Sequence, residues 1–267
     1  MASQPQLVIL FAAERSGTHL FRSILASNRA AYAPGEVANA AVPVTEDQET
    51  NFFVFRQKFV ERTGGIFVPS IQNMEAFLDQ YFDRLVEEAR SRHRNICVCD
   101  IKYAHIVNFV GGWWDMLSPP LLLSWARTRK VPIIHLVRRS IAETCLSNIY
   151  AQQTGVWRTK NPNEISTLHL AISRQRLERE MNSLRRVIYS IREWIEPCQS
   201  IEIYYEELLD CESQSWADVR NLLGAPIEKI VSDFVKTTPP YEEVLTNFEE
   251  LRDLFDVAIA KAPRKSS

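Results

Sequence analysis

Short runs of apolar residues punctuate the chain, and the polar residues that close each run mark where an element ends. Leu7-Val8-Ile9-Leu10-Phe11-Ala12 is uninterrupted and rich in strand formers, the pattern of a strand covered on both faces of a parallel sheet. It stops at Glu14-Arg15-Ser16-Gly17-Thr18-His19, after which Leu20, Phe21, Ile24 and Leu25 recur at helical spacing. The order predicted is strand, polar glycine turn, helix. Ile96 to Ile101 predicts a second buried strand ending at Lys102, and Val131 to Val137 a third, followed by Arg138-Arg139. Ser140 with Glu143 three residues later is the capping-box pattern of a helix start. Ile201 to Tyr205 predicts a further strand.

Between these runs the apolar residues follow the helical period. Asn51 to Arg62 has a helical pattern between the turn signals Pro34-Gly35 and Gly64-Gly65. Met74 to Arg92 carries Phe77, Tyr81 or Phe82, and Leu85 on one face, and Asn163 to Trp194 reads as one long amphipathic helix through Leu168, Leu177, Leu184 and Ile188. Beyond Tyr205 the remainder reads as helical. Alternating strands and helices predict an α/β, three-layer P-loop-like fold, with a central mainly parallel sheet flanked by helices. The chain shows no internal repeat or low-complexity linker, so residues 1–267 are expected to form a single domain.

Composition narrows the class without naming it. Apolar residues make up 46% and charged residues 24%, an ordinary globular balance, and a net charge of −2 gives no footprint for general nucleic-acid binding. The five cysteines, Cys97, Cys99, Cys145, Cys198 and Cys211, lack metal-ligand spacing and are expected to be reduced thiols, mostly buried; no metal site is expected. Leu7 to Ala13 is too short for a signal core or a membrane span, so the expectation is a cytoplasmic protein without stable membrane insertion.

The turn after the first strand carries the first candidate chemistry. A strand that ends in a glycine turn opening a helix directs backbone N–H groups at one point, where the helix dipole adds positive potential; such turns hold phosphates. Arg15 adds a donor fork. Taken alone, Arg15-Ser16-Gly17-Thr18 is equally a helix-capping turn with a surface arginine. It lacks the Gly-x-x-x-x-Gly-Lys-Ser/Thr pattern of nucleoside-triphosphate enzymes. Arg139 stands at the carboxyl end of the third strand, where open α/β sheets bind ligands. Ser147 is placed by helical periodicity opposite the apolar face of the next helix, free to face a ligand. Lys102 at the end of the second strand is a further cation. Trp113, Trp114 and Trp157 could stack on a sugar or adenine face or simply pack in the core.

Together these residues resemble the PAPS-dependent sulfotransferases, PAPS being 3′-phosphoadenosine-5′-phosphosulfate. Arg15-Ser16-Gly17-Thr18 looks like the loop that binds the 5′-phosphosulfate of the donor, and Arg139 with Ser147 like the pair that binds its 3′-phosphate. The run from Arg138-Arg139 through Ser147 to Ala151-Gln152-Gln153-Thr154-Gly155-Val156-Trp157 is most similar to the bacterial branch of nodulation-factor and trehalose sulfotransferases. A weaker likeness follows in Tyr205-Glu206-Glu207-Leu208, Leu222-Leu223-Gly224-Ala225-Pro226, Lys236 and Asn247-Phe248-Glu249-Glu250-Leu251. His19 departs from the small residue usual after the loop.

The resemblance implies in-line transfer of a sulfuryl group from PAPS, with PAP as product and no metal, to a hydroxyl of a carbohydrate or other small alcohol. Arg15 and Lys102 would stabilise charge, and Arg15, Ser16, Gly17, Thr18, His19, Arg139, Ser147 and Lys236 would bind the donor. Glu36, in Ala33-Pro34-Gly35-Glu36-Val37-Ala38-Asn39, matches the general base of the bacterial branch. His105 is the second candidate base, three residues after Lys102 where animal enzymes place theirs two after. A homodimer is a further expectation. The alternatives are a small-molecule kinase of P-loop-like fold and a nucleotide-binding module without chemistry.

Overall fold

The computed structural model describes residues 5–40, 50–109, 118–157, 159, 161, 163, 165, 168–230 and 237–263. Four parallel strands, β1 (Gln6–Ala12), β2 (Ile96–Lys102), β3 (Ile133–Val137) and β4 (Ser200–Tyr204), make a sheet of order β2-β1-β3-β4. Helices α1 (Thr18–Ser27), α2 (Phe52–Arg62) and α3 (Ile71–Ser91) link β1 to β2, and α4 (Leu121–Thr128) leads to β3. Helices α5 (Ile141–Thr154) and α6 (Arg174–Ile195) link β3 to β4; α7 (Gln214–Leu223), α8 (Tyr241–Val244) and α9 (Phe248–Phe255) follow.

Alternation along the strands sorts side chains between two cores. Ile9 and Phe11, with Cys97, Cys99 and Ile101, Ile133 and Val137, meet α2 to α6 on one face. Val8, Leu10, Ala12, Val98, Ile134 and Leu136 meet α1 and α7 on the other. The second layer is pinned by Trp216, fully buried, whose ring stacks on Phe21 at 5.4 Å and whose indole N–H donates to the Leu208 carbonyl at 3.0 Å. Truncating such a side chain costs about 3–5 kcal/mol. The three-layer α/β expectation therefore holds, with every strand of the sheet parallel.

Several boundaries move for local reasons. The segment read as helical from Asn163 becomes α6 only at Arg174, because Ser173 accepts from the Arg176 N–H and caps it. Ser70 likewise starts α3 at Ile71. Tyr205 leaves the strand for a 3-10 turn, Tyr205–Glu207. The capping box at Ser140 does not form: its hydroxyl makes no cap bond, and Glu143 turns instead to the Arg138 guanidinium, a charge-assisted partner stronger than a neutral amide. Glu206 from the segment after β4 accepts from the Arg139 and Ser140 N–H groups in its place. Four of the five cysteines are buried and Cys211 is exposed.

Candidate active site

The chain leaves β1 for β2 on one side and later returns to β3 on the other, so the carboxyl ends of β1 and β3 flank a topological switch point, the place where open α/β sheets bind ligands. The loop Ala13 to Gly17 leaves β1 there. Arg15 has φ 65° and Gly17 φ 93°, both in the left-handed region. Gly17 is the N-cap of α1, and among the described residues no side chain caps the first-turn amides with a hydrogen bond. The position also admits no side chain: a Cβ at Gly17 would stand 2.4 Å from Tyr205 Cδ2. Ser16 and Thr18 are buried.

On the β1–β3 side, the Arg15 guanidinium donates through Nε to Ser147 Oγ at 3.0 Å, through Nη1 to the Trp157 carbonyl and through Nη2 to Thr237 Oγ1 at 2.5 Å. Ser147 also bonds Thr238 Oγ1 at 2.9 Å. Ser147, which the sequence paired with Arg139, thus meets the loop arginine instead, and it is buried where periodicity alone left it open, bonded to Thr238 of the Thr237-Thr238 segment. Burial, and the like charge of Arg138 beside it, bring the Arg15 pKa down to about 10, so the group remains a cation at neutral pH.

On the β2 side, the stretch Tyr32 to Val37 runs along β2: Tyr32 N–H donates to the Ile96 carbonyl at 2.8 Å and Val37 N–H to that of Asp100 at 3.3 Å. This register sets Glu36 opposite Asp100. Lys102, two residues on and therefore on the same face of β2, is buried with its ammonium 2.6 Å from Thr18 Oγ1, 2.6 Å from Asp100 Oδ1 and 3.5 Å from Glu36 Oε1. Asp100 is fully buried, and Arg22 Nε lies 3.2 Å from its other oxygen. Breaking a buried pair of this kind costs roughly 3–5 kcal/mol. Glu36 also accepts from Asn39 Nδ2 at 2.8 Å and lies 3.8 Å from His19 Nε2, while His19 Nδ1 meets Arg22 Nη2 at 2.9 Å. Burial raises the Glu36 pKa, but Lys102, Asn39, His19 and Arg22 outweigh it and hold the carboxyl below its usual range.

The remaining expected residues divide. His105 sits within the field of Glu36, Glu14 and Lys102; burial lowers its pKa, and its Nδ1 is buried with no hydrogen-bond partner among the described residues. The Arg139 side chain donates to the Ile259 carbonyl at 3.3 Å, and no bond between it and Ser147 is present among the described residues. Trp157 is 44% exposed and meets Arg15 through its carbonyl. Lys236, Trp113 and Trp114 lie outside the described residues. Asp100, Arg22, Thr237 and Thr238 join the site without having been marked by any motif. A lone acid in the apolar run Ile96-Cys97-Val98-Cys99-Asp100-Ile101 is the visible signal for Asp100, whereas nothing in the sequence joins Thr237 to a loop more than two hundred residues earlier.

No family model and no curated protein match the sequence. Among solved structures the chain is similar to a sulfotransferase domain from the curacin biosynthetic pathway, at 15% identity and TM-score 0.43, over 86% of this chain and 77% of that one. It is also similar to a sulfotransferase domain from the Synechococcus PCC 7002 olefin synthase, at 15% identity and TM-score 0.40, over the same 86% and 77%. Likeness at that distance assigns no activity. The chemistry open to the site is set by its own groups: the buried Lys102 ammonium, the half-buried Arg15 guanidinium, a row of first-turn amides and the carboxylates of Glu36 and Asp100, gathered at the switch point. Among the described residues no helix is long and apolar enough to cross a membrane.

Proposed function

We propose that this chain is a sulfotransferase that moves the sulfuryl group of PAPS to the hydroxyl of a carbohydrate or other small alcohol. The observation that carries the reading is the convergence of Lys102 on Thr18 of the phosphate loop and on Glu36, at 2.6 and 3.5 Å, which sets a cation and a base beside the same loop. The loop amides, Arg15 and Ser147 would hold the donor, and these residues fit it: the first-turn amides and the Arg15 guanidinium, bonded to hydroxyls and a carbonyl, are the donor set an anionic group needs.

Sulfuryl transfer, like phosphoryl transfer, needs in-line positioning and charge stabilisation more than covalent help from the protein. Glu36 takes the proton of the acceptor hydroxyl as its oxygen bonds to sulfur. The bond from sulfur to the phosphate oxygen of the donor breaks, and Lys102 and Arg15 stabilise the charge gathering on that oxygen and on the transferring group. PAP leaves with the released electron pair. The acceptor class rests on the resemblance to the bacterial carbohydrate-modifying branch.

The test is incubation with PAPS and a panel of oligosaccharides and small alcohols, following PAP release and sulfated product by mass spectrometry. Product that depends on Glu36 and Lys102 is expected. Absence of PAP release with every acceptor, from protein shown to bind PAP, would leave a binding module in place of an enzyme.

A further inference from the structure

Asp100 breaks the pattern of its own strand. Alternate residues of β2 face α1 and α7, and Ile96 and Val98 fill that layer with apolar side chains, yet the next position on the same face is a carboxylate with no exposed surface. A buried ion pair stabilises a core no better than well-packed apolar side chains of similar volume, so packing gives no reason for an acid there. Thr18 and Arg22 lie one turn apart on α1, Lys102 and Asp100 two residues apart on β2, and the two pairs meet in rungs. Lys102 Nζ donates to Thr18 Oγ1 at 2.6 Å in one; Arg22 Nε lies 3.2 Å from Asp100 Oδ2 in the other, without a hydrogen bond between them. The hydrogen bond that the Asp100 side chain accepts runs diagonally, from Lys102 Nζ to Oδ1 at 2.6 Å.

An ammonium has three N–H donors. Among the described residues, Thr18 and Asp100 take two of them at 2.6 Å, and Glu36 Oε1, at 3.5 Å, stands beyond ordinary hydrogen-bond length for the third. Without Asp100 the ammonium would close that gap, and the cation and the base would occupy each other. Asp100 also differs from Glu36 in what transfer does to it. Glu36 loses its charge on taking the acceptor proton, whereas Asp100 has no surface to offer the acceptor and stays as the constant counter-ion of Lys102. Arg22 balances the charge that Asp100 buries without competing for its hydrogen bond to Lys102.

We propose that Asp100, braced by Arg22, is a positioning residue for the transfer: it tethers the Lys102 ammonium beside the phosphate loop and holds it off Glu36. One N–H is thereby left for the transferring oxygens, and the carboxylate is left for the acceptor hydroxyl. The assignment rests on the sulfuryl-transfer reading under Proposed function and names what keeps its cation and its base apart. Arg15 from the loop, His19 and Arg22 from α1 and His105 from the segment after β2 share the field of Glu36, and Cys99 on β2 shares that of Asp100.

The experiment follows PAP release from PAPS with the panel of oligosaccharides and small alcohols, separating kcat from the KM for PAPS and recording the pH profile of kcat/KM. It compares wild type with Asp100→Asn and with the double variant Arg22→Met, Asp100→Asn, with melting curves as folding controls. Asparagine keeps the shape and removes the charge. The double variant removes both ions, so no orphaned guanidinium stays buried, and it decides if Asp100→Asn does not fold. In either variant kcat should fall about 10- to 100-fold, the weight of one charge-assisted hydrogen bond, with the KM for PAPS little changed. As the ammonium closes on Glu36, the acid limb should move to lower pH in Asp100→Asn. A wild-type kcat in a folded variant, a loss confined to KM, or a limb displaced to higher pH in Asp100→Asn each overturns the assignment. Collapse of the double variant as well would make Asp100 a structural residue and overturn it too. Wild-type protein that transfers no sulfuryl group from PAPS removes the donor reading, and this assignment with it.

Discussion

Lys102 holds its ammonium 3.5 Å from Glu36 Oε1, and so lends positive charge to a carboxylate with only 18% of its side chain exposed. Without that charge, burial would push the Glu36 proton on; with it, and with Asn39, His19 and Arg22, the carboxyl stays below its usual range. A general base acts deprotonated, so the acid limb of kcat/KM is expected below the ordinary glutamate range, with activity flat above about pH 5. Lys102→Met should shift the limb to higher pH and slow transfer. Glu36→Gln should lower kcat about 10²- to 10⁴-fold with PAP affinity unchanged. A limb that survives in Glu36→Gln and disappears in His105→Asn would transfer the role to His105.

Gly17→Ala tests the phosphate loop. The substitution carries a left-handed φ of 93° and a Cβ 2.4 Å from the Tyr205 ring. Backbone strain alone costs about 1–2 kcal/mol, and the overlap forces the loop away from Tyr205. A lower melting temperature and loss of PAP binding are expected. Adding Tyr205→Ala removes the overlap and leaves the strain, so the double variant should regain part of the binding; a double variant weaker than Gly17→Ala alone would show that the ring itself holds the ligand.

A second polar network joins β3 to β4 and to the stretch after β2, and its titration couples stability to pH. His135 is fully buried between Tyr103 Oη at 2.5 Å and Glu202 Oε2 at 3.0 Å, and Glu202 also accepts from Arg192 at 2.7 and 2.8 Å and from Tyr204 at 2.8 Å. Burial holds His135 below its ordinary pKa despite Glu202, while the hydrogen bonds to Glu202 outweigh burial and hold that carboxyl at about 2. Both groups take up protons more readily in the unfolded chain, so both favour the fold at neutral pH and lose that contribution as pH falls. The melting temperature is expected to fall as pH drops below about 6.5, the unfolded histidine value, and again below about 4.3 as the unfolded glutamate value is passed. His135→Gln should flatten the first fall; a melting temperature that rises on acidification would contradict the account.

The sequence showed the parts that local rules determine. Apolar runs marked β1, β2 and β3 to within two residues, and the glycine turn after β1 marked the passage from β1 to α1. Glu36 was legible only through resemblance, since its place opposite Asp100 depends on a stretch after α1 pairing with β2. The capping box failed because a pattern within one helix competes with tertiary charge, and Arg138 displaced the amide as the partner of Glu143. Thr237 and Thr238 reach Arg15 and Ser147 through the fold alone, and no spacing in the chain encodes that meeting.

The donor class is the central claim, and calorimetric titration of the purified chain with PAP and with ATP, each with and without magnesium, tests it most directly. Micromolar PAP binding that is indifferent to magnesium, with little ATP binding, is the predicted result. ATP binding that exceeds PAP binding and requires magnesium would contradict it and make the chain a kinase.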